Sequence, residues 1–168
     1  QISSVLLHMR GGIMKIGVPM EPEGETRVAI VPGSMKKLMK SGFEVVIEKG
    51  AGNAANYSDI EYTEAGASIG DNTEVMSCPI IISIRIPEAD KLSKGQIVAC
   101  VADPFRHPEK VQACIDGGIT LLSMDMIPRR LSRAQSMDVN SSQDNLAGYK
   151  AVLLGASHVP RGIPMMTT

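Results

Sequence analysis

Tryptophan is absent from the 168 residues, and two Phe and three Tyr are the whole aromatic supply. Proteins that bind single-stranded nucleic acid stack bases on aromatic rings, so that class is excluded. Charge of one sign is missing as well. With 17 Lys and Arg against 18 Asp and Glu the net charge is -1, which removes the electrostatic reason to expect nucleic acid or an acidic membrane surface as partner. Cysteine is scarce: Cys78, Cys100 and Cys114 are odd in number, far apart and without CxxC or Cys/His ligand spacing. That usage points to a reducing compartment and to no metal site. The longest apolar stretches, Pro79 to Ile84 and Ile97 to Ala102, have strand length and fall well short of the ~18 residues of a membrane span. Arg10 lies behind the short apolar run of residues 1–13 and not in front of it. This is the wrong polarity for a secretory signal, so 1–13 is expected to be a flexible upstream segment and Met14 the better start.

What is present suits one ordinary globular domain. Hydrophobic residues make up 43% and charged residues 21%, and a chain of this length buries roughly 70% of its unfolded surface. Eleven Met do part of the core filling that aromatics usually do. From Met14 onward, short Val/Ile-rich runs alternate with helix-like windows, the signature of a parallel sheet covered by helices. Strands are expected at Ile13 to Val18, Glu44 to Ile47 led in by Phe43, Ile80 to Ile84, Ile97 to Val101 and Ile119 to Ser123. Helices are expected at Ser34 to Lys40, Asp59 to Ala65 and Pro108 to Ile115, stopped by Gly42, Gly66 and the Gly117-Gly118 pair. The class is α/β, one domain, with a Rossmann-like or flavodoxin-like, mainly parallel sheet flanked by helices. Asp125 to Asn140 reads as an exposed loop. Ser141 and Asp144 form a capping pair for a last helix from about Ser142 to His158, which Pro160 and Pro164 end. The expected organisation is thus 1–13 upstream, 14–158 domain and 159–168 tail.

One motif resembles a dinucleotide fingerprint: Gly50, Gly52 and Ala55 in GAGNAA, with Asp71 about twenty residues on. A true fingerprint runs directly into a helix, whereas here Ser58 and Glu61 form a new capping box and the helix starts too late. His8, His107 and His158 have no ligand-spaced neighbours and read as surface residues. Glu21, Glu23 and Glu25 alternate with Pro22 and Gly24 and read as a solvated turn. Arg27, at the end of the first strand, is open to two roles, an anion ligand or half of an ion pair. The richest segment is Pro128 to Val152, where three arginines, Gln135, Asp138 and Ser141 offer more donors and acceptors than a connector needs. On physics alone it is either a charged loop before a capped helix or a grip for a flat, amide-bearing ring.

MKIGVPMEPEGETRVAIVP at Met14 to Pro32, GFEVVIEKGAG at Gly42 to Gly52, and RLSRAQSMD followed by SSQDNLAGYKAV resemble the NAD(P) transhydrogenases, in the alanine dehydrogenase/pyridine nucleotide transhydrogenase N-terminal family. The similar part is the N-terminal portion of the NAD(H)-binding component of the alpha subunit, and it covers Met14 to Thr168. The resemblance implies hydride transfer between NAD(H) and NADP(H), coupled to proton translocation. It implies that Arg130, Gln135, Asp138 and Ser141 form the loop that orients the nicotinamide, with Gln135 nearest the transfer point. The Arg129-Arg130 pair leaves the ring-facing arginine ambiguous by one position, and spacing to Gln135 selects Arg130. Further implications are NADP(H) on a beta subunit, the rest of the alpha subunit as partner, a homodimer, and a cytoplasmic place peripheral to the inner membrane, with membrane contact only through partner components. The alternatives are an alanine dehydrogenase-like fragment and a non-catalytic dimerisation or regulatory module. Alanine dehydrogenases share the first two motifs and lack the SRAQ loop, and the places of their pyruvate-acting lysine and histidine correspond here to Arg85 and Asp103. The isolated chain is expected to be inactive, because the resemblance places most of the NAD-binding surface in a Rossmann domain downstream.

Overall fold

The computed structural model describes residues 14–162. The expectations for residues 1–13, including Ile13 as a strand residue and His8 as a surface residue, and for Pro164 lie outside the described residues. Two compact units follow one another, dividing between Met124 and Asp125. The first holds every strand among the described residues: β1 (Met14–Val18), β2 (Phe43–Glu48), β3 (Ser68–Gly70), β4 (Ile80–Arg85), β5 (Ile97–Val101) and β6 (Thr120–Ser123). All pair in parallel, in the order β3-β2-β1-β4-β5-β6. This is the Rossmann order, so the topology that the sequence left open is resolved away from the flavodoxin-like alternative.

Near-continuous Val/Ile runs make these strands because both sheet faces are covered. Successive side chains of β2 alternate between faces. Val45 and Ile47 join Ile16, Val18 and Ile30 in one apolar cluster, with Met35 of α1 (Pro32–Lys40) and Tyr62 of α2 (Asp59–Glu64). Val46 joins Ile81, Val98 and Cys100 in the other, with Val75 of α3 (Asn72–Met76) and Cys114 of α4 (Pro108–Asp116). Each such aliphatic side chain contributes roughly 1.5–3 kcal/mol on full burial. Two clusters with helices over each make a doubly wound sheet. All three cysteines are buried, and none of them forms a disulfide among the described residues.

Local chemistry sets the helix limits. Ser58 and Glu61 form the expected capping box: the Ser58 amide donates to Glu61 Oε2 at 2.7 Å, and the Glu61 amide donates to Ser58 Oγ at 3.4 Å. Gly42 at φ 85° and Gly66 at φ 98° terminate α1 and α2 in the left-handed region, where a Cβ is strained. Two elements add to the expectation of five strands and four helices. β3 is three residues long and α3 five, both too short for a periodic signal, and they are held by neighbours distant in sequence. Asp71 caps α3 by accepting the Glu74 amide at 2.8 Å. Gln96, buried, donates to the carbonyls of Met76 and Cys78, both at 2.7 Å, and so ties the exit of α3 to the start of β5.

Candidate functional site

In the second unit, the backbone from Pro128 to Asp138 is a succession of tight turns. Pro128 O accepts from the Leu131 amide at 3.2 Å, Leu131 O from Ala134 at 2.8 Å, Ala134 O from Met137 at 2.9 Å, and Gln135 O from Asp138 at 3.4 Å. The helix that follows, α5 (Val139–His158), begins at Val139 and is capped by Asp138. The expected start near Ser142 with Ser141 as cap is thereby corrected. The reason is chemical: the Asp138 carboxylate reaches both the Ser141 amide (2.9 Å to Oδ1) and the Ser141 hydroxyl (2.6 Å to Oδ2). A carboxylate at a helix N-terminus also gains from the helix dipole. These hydrogen bonds, and then the charge of Arg129, hold the Asp138 carboxyl below its ordinary range.

The four residues expected to act as cofactor ligands all lie on this one segment. Arg130 and Gln135 are exposed, and their side chains make no hydrogen bond or ion pair among the described residues. Asp138 and Ser141 are bonded to each other. Arg129 is engaged instead: its Nε lies 3.6 Å from Asp138 Oδ2 and its Nη2 3.2 Å from Asp144 Oδ2.

The sheet unit carries a second arrangement. In this strand order the chain reverses direction between β1 and β4, and open α/β sheets bind ligands in the crevice outside that switch point. A cavity of about 450 Å3 lies there, lined by Met20, Glu21, Arg85, Ile86, Asp103 and His107 among others. Of the carboxylates that the sequence pattern assigns to a solvated turn, Glu21 lines this cavity, and Glu25 is linked to it through the lining residue Arg85. Glu25 has a side chain only 8% exposed. It accepts from Arg27 Nε at 2.7 Å and Nη2 at 2.6 Å, and from Arg85 Nε at 3.0 Å. Glu21 accepts the amides of Ile84 at 2.5 Å and Arg85 at 3.0 Å at the end of β4. Of the three acids only Glu23 is exposed as expected. Arg27 therefore takes the ion-pair role. Their partners in β4 lie about sixty residues away in the chain, so no local pattern announces them. Asp103 adopts φ 45°, a left-handed conformation that is strained for a residue preceding proline.

Titration of Glu25 and Glu21 affects stability with opposite signs. Hydrogen bonds from Arg27 hold the Glu25 carboxyl down at about 2, against 4.5 ordinarily. Its stabilising contribution is therefore complete above about 4.5 and is lost as pH falls toward 2. Glu21 has the opposite sign, because burial raises its carboxyl and its ionisation with rising pH weakens the fold. Glu25→Gln is expected to cost about 2 kcal/mol at neutral pH, the worth of a charged hydrogen bond, and to flatten the acid limb. Urea melts at a series of pH values measure both.

In the Gly50–Ala55 turn four amides are already used: Gly50 donates to Asp59 Oδ1 at 2.9 Å, Ala51 to Glu48 O at 2.9 Å, Asn53 to Gly50 O at 3.1 Å and Ala55 to Gly52 O at 2.9 Å. A pyrophosphate cradle needs amides free to converge on the anion, and these are not. His107 is half exposed beside Glu109, and His158 is exposed. Among the described residues no group of three His, Cys, Asp or Glu could hold a metal ion, and no helix is long and apolar enough to cross a membrane.

Comparison with known proteins agrees with this fold. The family described as alanine dehydrogenase/PNT, N-terminal domain, matches residues 17–147. NAD(P) transhydrogenase subunit alpha of Cereibacter sphaeroides is 40% identical over 154 residues, covering 88% of this chain and 29% of that protein. The crystal structure of transhydrogenase from Sinorhizobium meliloti superposes with a TM-score of 0.84 at 39% identity, over 92% of this chain and 47% of that one. Alanine dehydrogenase of Bacillus subtilis is more distant, 28% identical over 89% of this chain and 40% of its own length. The chain thus spans less than half the length of these relatives. With a Rossmann-order sheet, the SRAQ loop and a family match over most of its length, the chain belongs to the alanine dehydrogenase/PNT N-terminal domain family.

Proposed function

We propose that this chain is the N-terminal part of the NAD(H)-binding component of a proton-translocating NAD(P) transhydrogenase, and that its Pro128–Ser141 loop orients the nicotinamide. The observation that carries this reading is the compact exposed turn on which Arg130 and Gln135 stand with unused hydrogen-bonding groups beside the Asp138–Ser141 pair. That donor set fits a carboxamide. Arg130 supplies donors for an amide oxygen, Gln135 supplies one donor and one acceptor face, and Asp138 keeps acceptor capacity for an amide N–H. When both nucleotides are bound, their rings supply the chemistry, a direct hydride transfer that asks no acid, base or nucleophile of the protein. The contribution of the chain is then to fix ring orientation and approach.

Partners follow from the same reading: the rest of the alpha subunit to hold NAD(H), a beta subunit carrying NADP(H), a second copy, and a cytoplasmic, membrane-peripheral place. Supporting the first of these, α5 exposes Leu146, Tyr149, Val152, Leu153 and Leu154, each by 49% or more, and none of its 20 residues is buried. A helix apolar around most of its circumference belongs in an interior. Residues 14–158 are accordingly read as one functional piece, and 159–168 as the start of a connection.

Calorimetric titration tests the proposal. The 168-residue chain alone is expected to bind NADH weakly and to transfer no hydride. Joined to an NAD-binding Rossmann part and the NADP(H)-binding component, it is expected to transfer hydride between the two nucleotides. Tight stoichiometric NADH binding by the chain alone overturns the reading, and failure of the completed assembly favours a non-catalytic module. Pyruvate-dependent NADH oxidation by that assembly favours the alanine dehydrogenase alternative.

A further inference from the structure

We propose that Arg129 is the positioning residue of the loop, closing its base so that Arg130 is the arginine left to face a ligand. Compact surface loops with adjoining ends are held by their own side chains, and this one begins at Arg129 and ends at Asp138. The turns between them run forward in steps of three and do not themselves join start to finish. The Arg129 guanidinium does: Nε stands 3.6 Å from Asp138 Oδ2 at the cap of α5, and Nη2 donates to Asp144 Oδ2 at 3.2 Å in the second turn of that helix. An isolated exposed ion pair contributes little. Here one planar fork engages two carboxylates, and the Asp138 side chain is only 11% exposed and already fixed by Ser141. A planar fork in that position gives geometry that a lysine point charge cannot reproduce fully.

Two neighbouring arginines therefore have different tasks. Arg129 is used inside the loop, and Arg130 stands outside it with no partner among the described residues. Closing the base limits the conformations of 130–137, and a loop held in one arrangement fixes the approach of the reacting groups in the transfer step more than it changes how tightly the ligand is held. The consequence for catalysis rests on the nicotinamide reading above, whereas the brace itself does not.

Hydrogen exchange by NMR on the full chain separates the two. Arg129→Gln is expected to speed exchange of the Ser141 amide about fivefold, the effect of losing one well-formed ion-pair network. Arg129→Lys is expected to recover most of that protection, and Arg130→Gln to leave it unchanged. In the completed transhydrogenase, Arg129→Gln is expected to lower kcat about fivefold with little change in KM for NADH, while Arg130→Gln raises KM about tenfold. An unchanged Ser141 exchange rate in Arg129→Gln, or an equal change in Arg130→Gln, overturns the brace. Altered exchange with unaltered kinetics in both variants leaves the brace standing and overturns the nicotinamide reading instead.

Discussion

Gly17→Ala is expected to destabilise the sheet unit by about 3 kcal/mol, the upper part of the range for overpacking a core. Gly17 sits in β1, in the middle of the sheet, with Val46 on one side and Ile81 on the other. A Cβ added there meets the carbonyl oxygen of Val75 in α3 head on, and stands 3.1 Å from Cys78 Cβ and from Ile81 Cδ1. The Val75 oxygen is backbone and cannot swing aside. That carbonyl also accepts the Cys78 amide at 3.1 Å, so displacing it disturbs the turn that leads from α3 into β4. Since whole domains are stable by only about 5–15 kcal/mol, the loss should shift a urea midpoint clearly while the slope stays unchanged. A loss under about 1 kcal/mol would mean that α3 can lift from the sheet without cost, contrary to its close approach to β1.

Gln135→Asn is expected to slow hydride transfer in the completed assembly by roughly 10- to 100-fold, because a shift of about 1 Å at a positioning contact can cost that much. Gln135 heads a 3-10 turn ending at Met137, and its side chain is exposed and bonded to nothing among the described residues. Shortening it by one methylene therefore leaves the fold within about 0.5 kcal/mol of the parent. Single-turnover kinetics paired with a urea melt distinguish the cases. An unchanged rate overturns the assignment of Gln135 to the transfer site, and a slowed rate with unchanged stability supports it.

The elements with strong signals in the sequence are those whose cause is local. The Val/Ile runs of β1, β2, β4 and β5, the Ser58–Glu61 capping box and the glycine stops of α1 and α2 all lie where their residues announce them. The misses have long-range causes. β3 exists because Val46, Ile47 and Glu48 of β2 offer it a partner edge, and α3 because Asp71 caps it and Val75 finds the core. Glu21 and Glu25 look solvated beside Pro22 and Gly24, yet their donors include the backbone and Arg85 of β4. In the loop, residue types mark out three arginines, Gln135, Asp138 and Ser141 together, but cannot tell a helix cap from a ligand.

Composition, apolar periodicity and turn chemistry thus determine the α/β class of this protein, most of its strands and helices, and the segment richest in polar side chains, since each rests on residues within a few positions of one another. Tertiary structure alone decides the strand order, the switch-point crevice, the burial of Glu25 beside Arg27 and Arg85, and the ion pairs that Arg129 makes with Asp138 and Asp144. Those depend on which groups meet across longer stretches of chain, and a carboxylate or guanidinium has the same appearance in a sequence whether its partner is water or a buried charge.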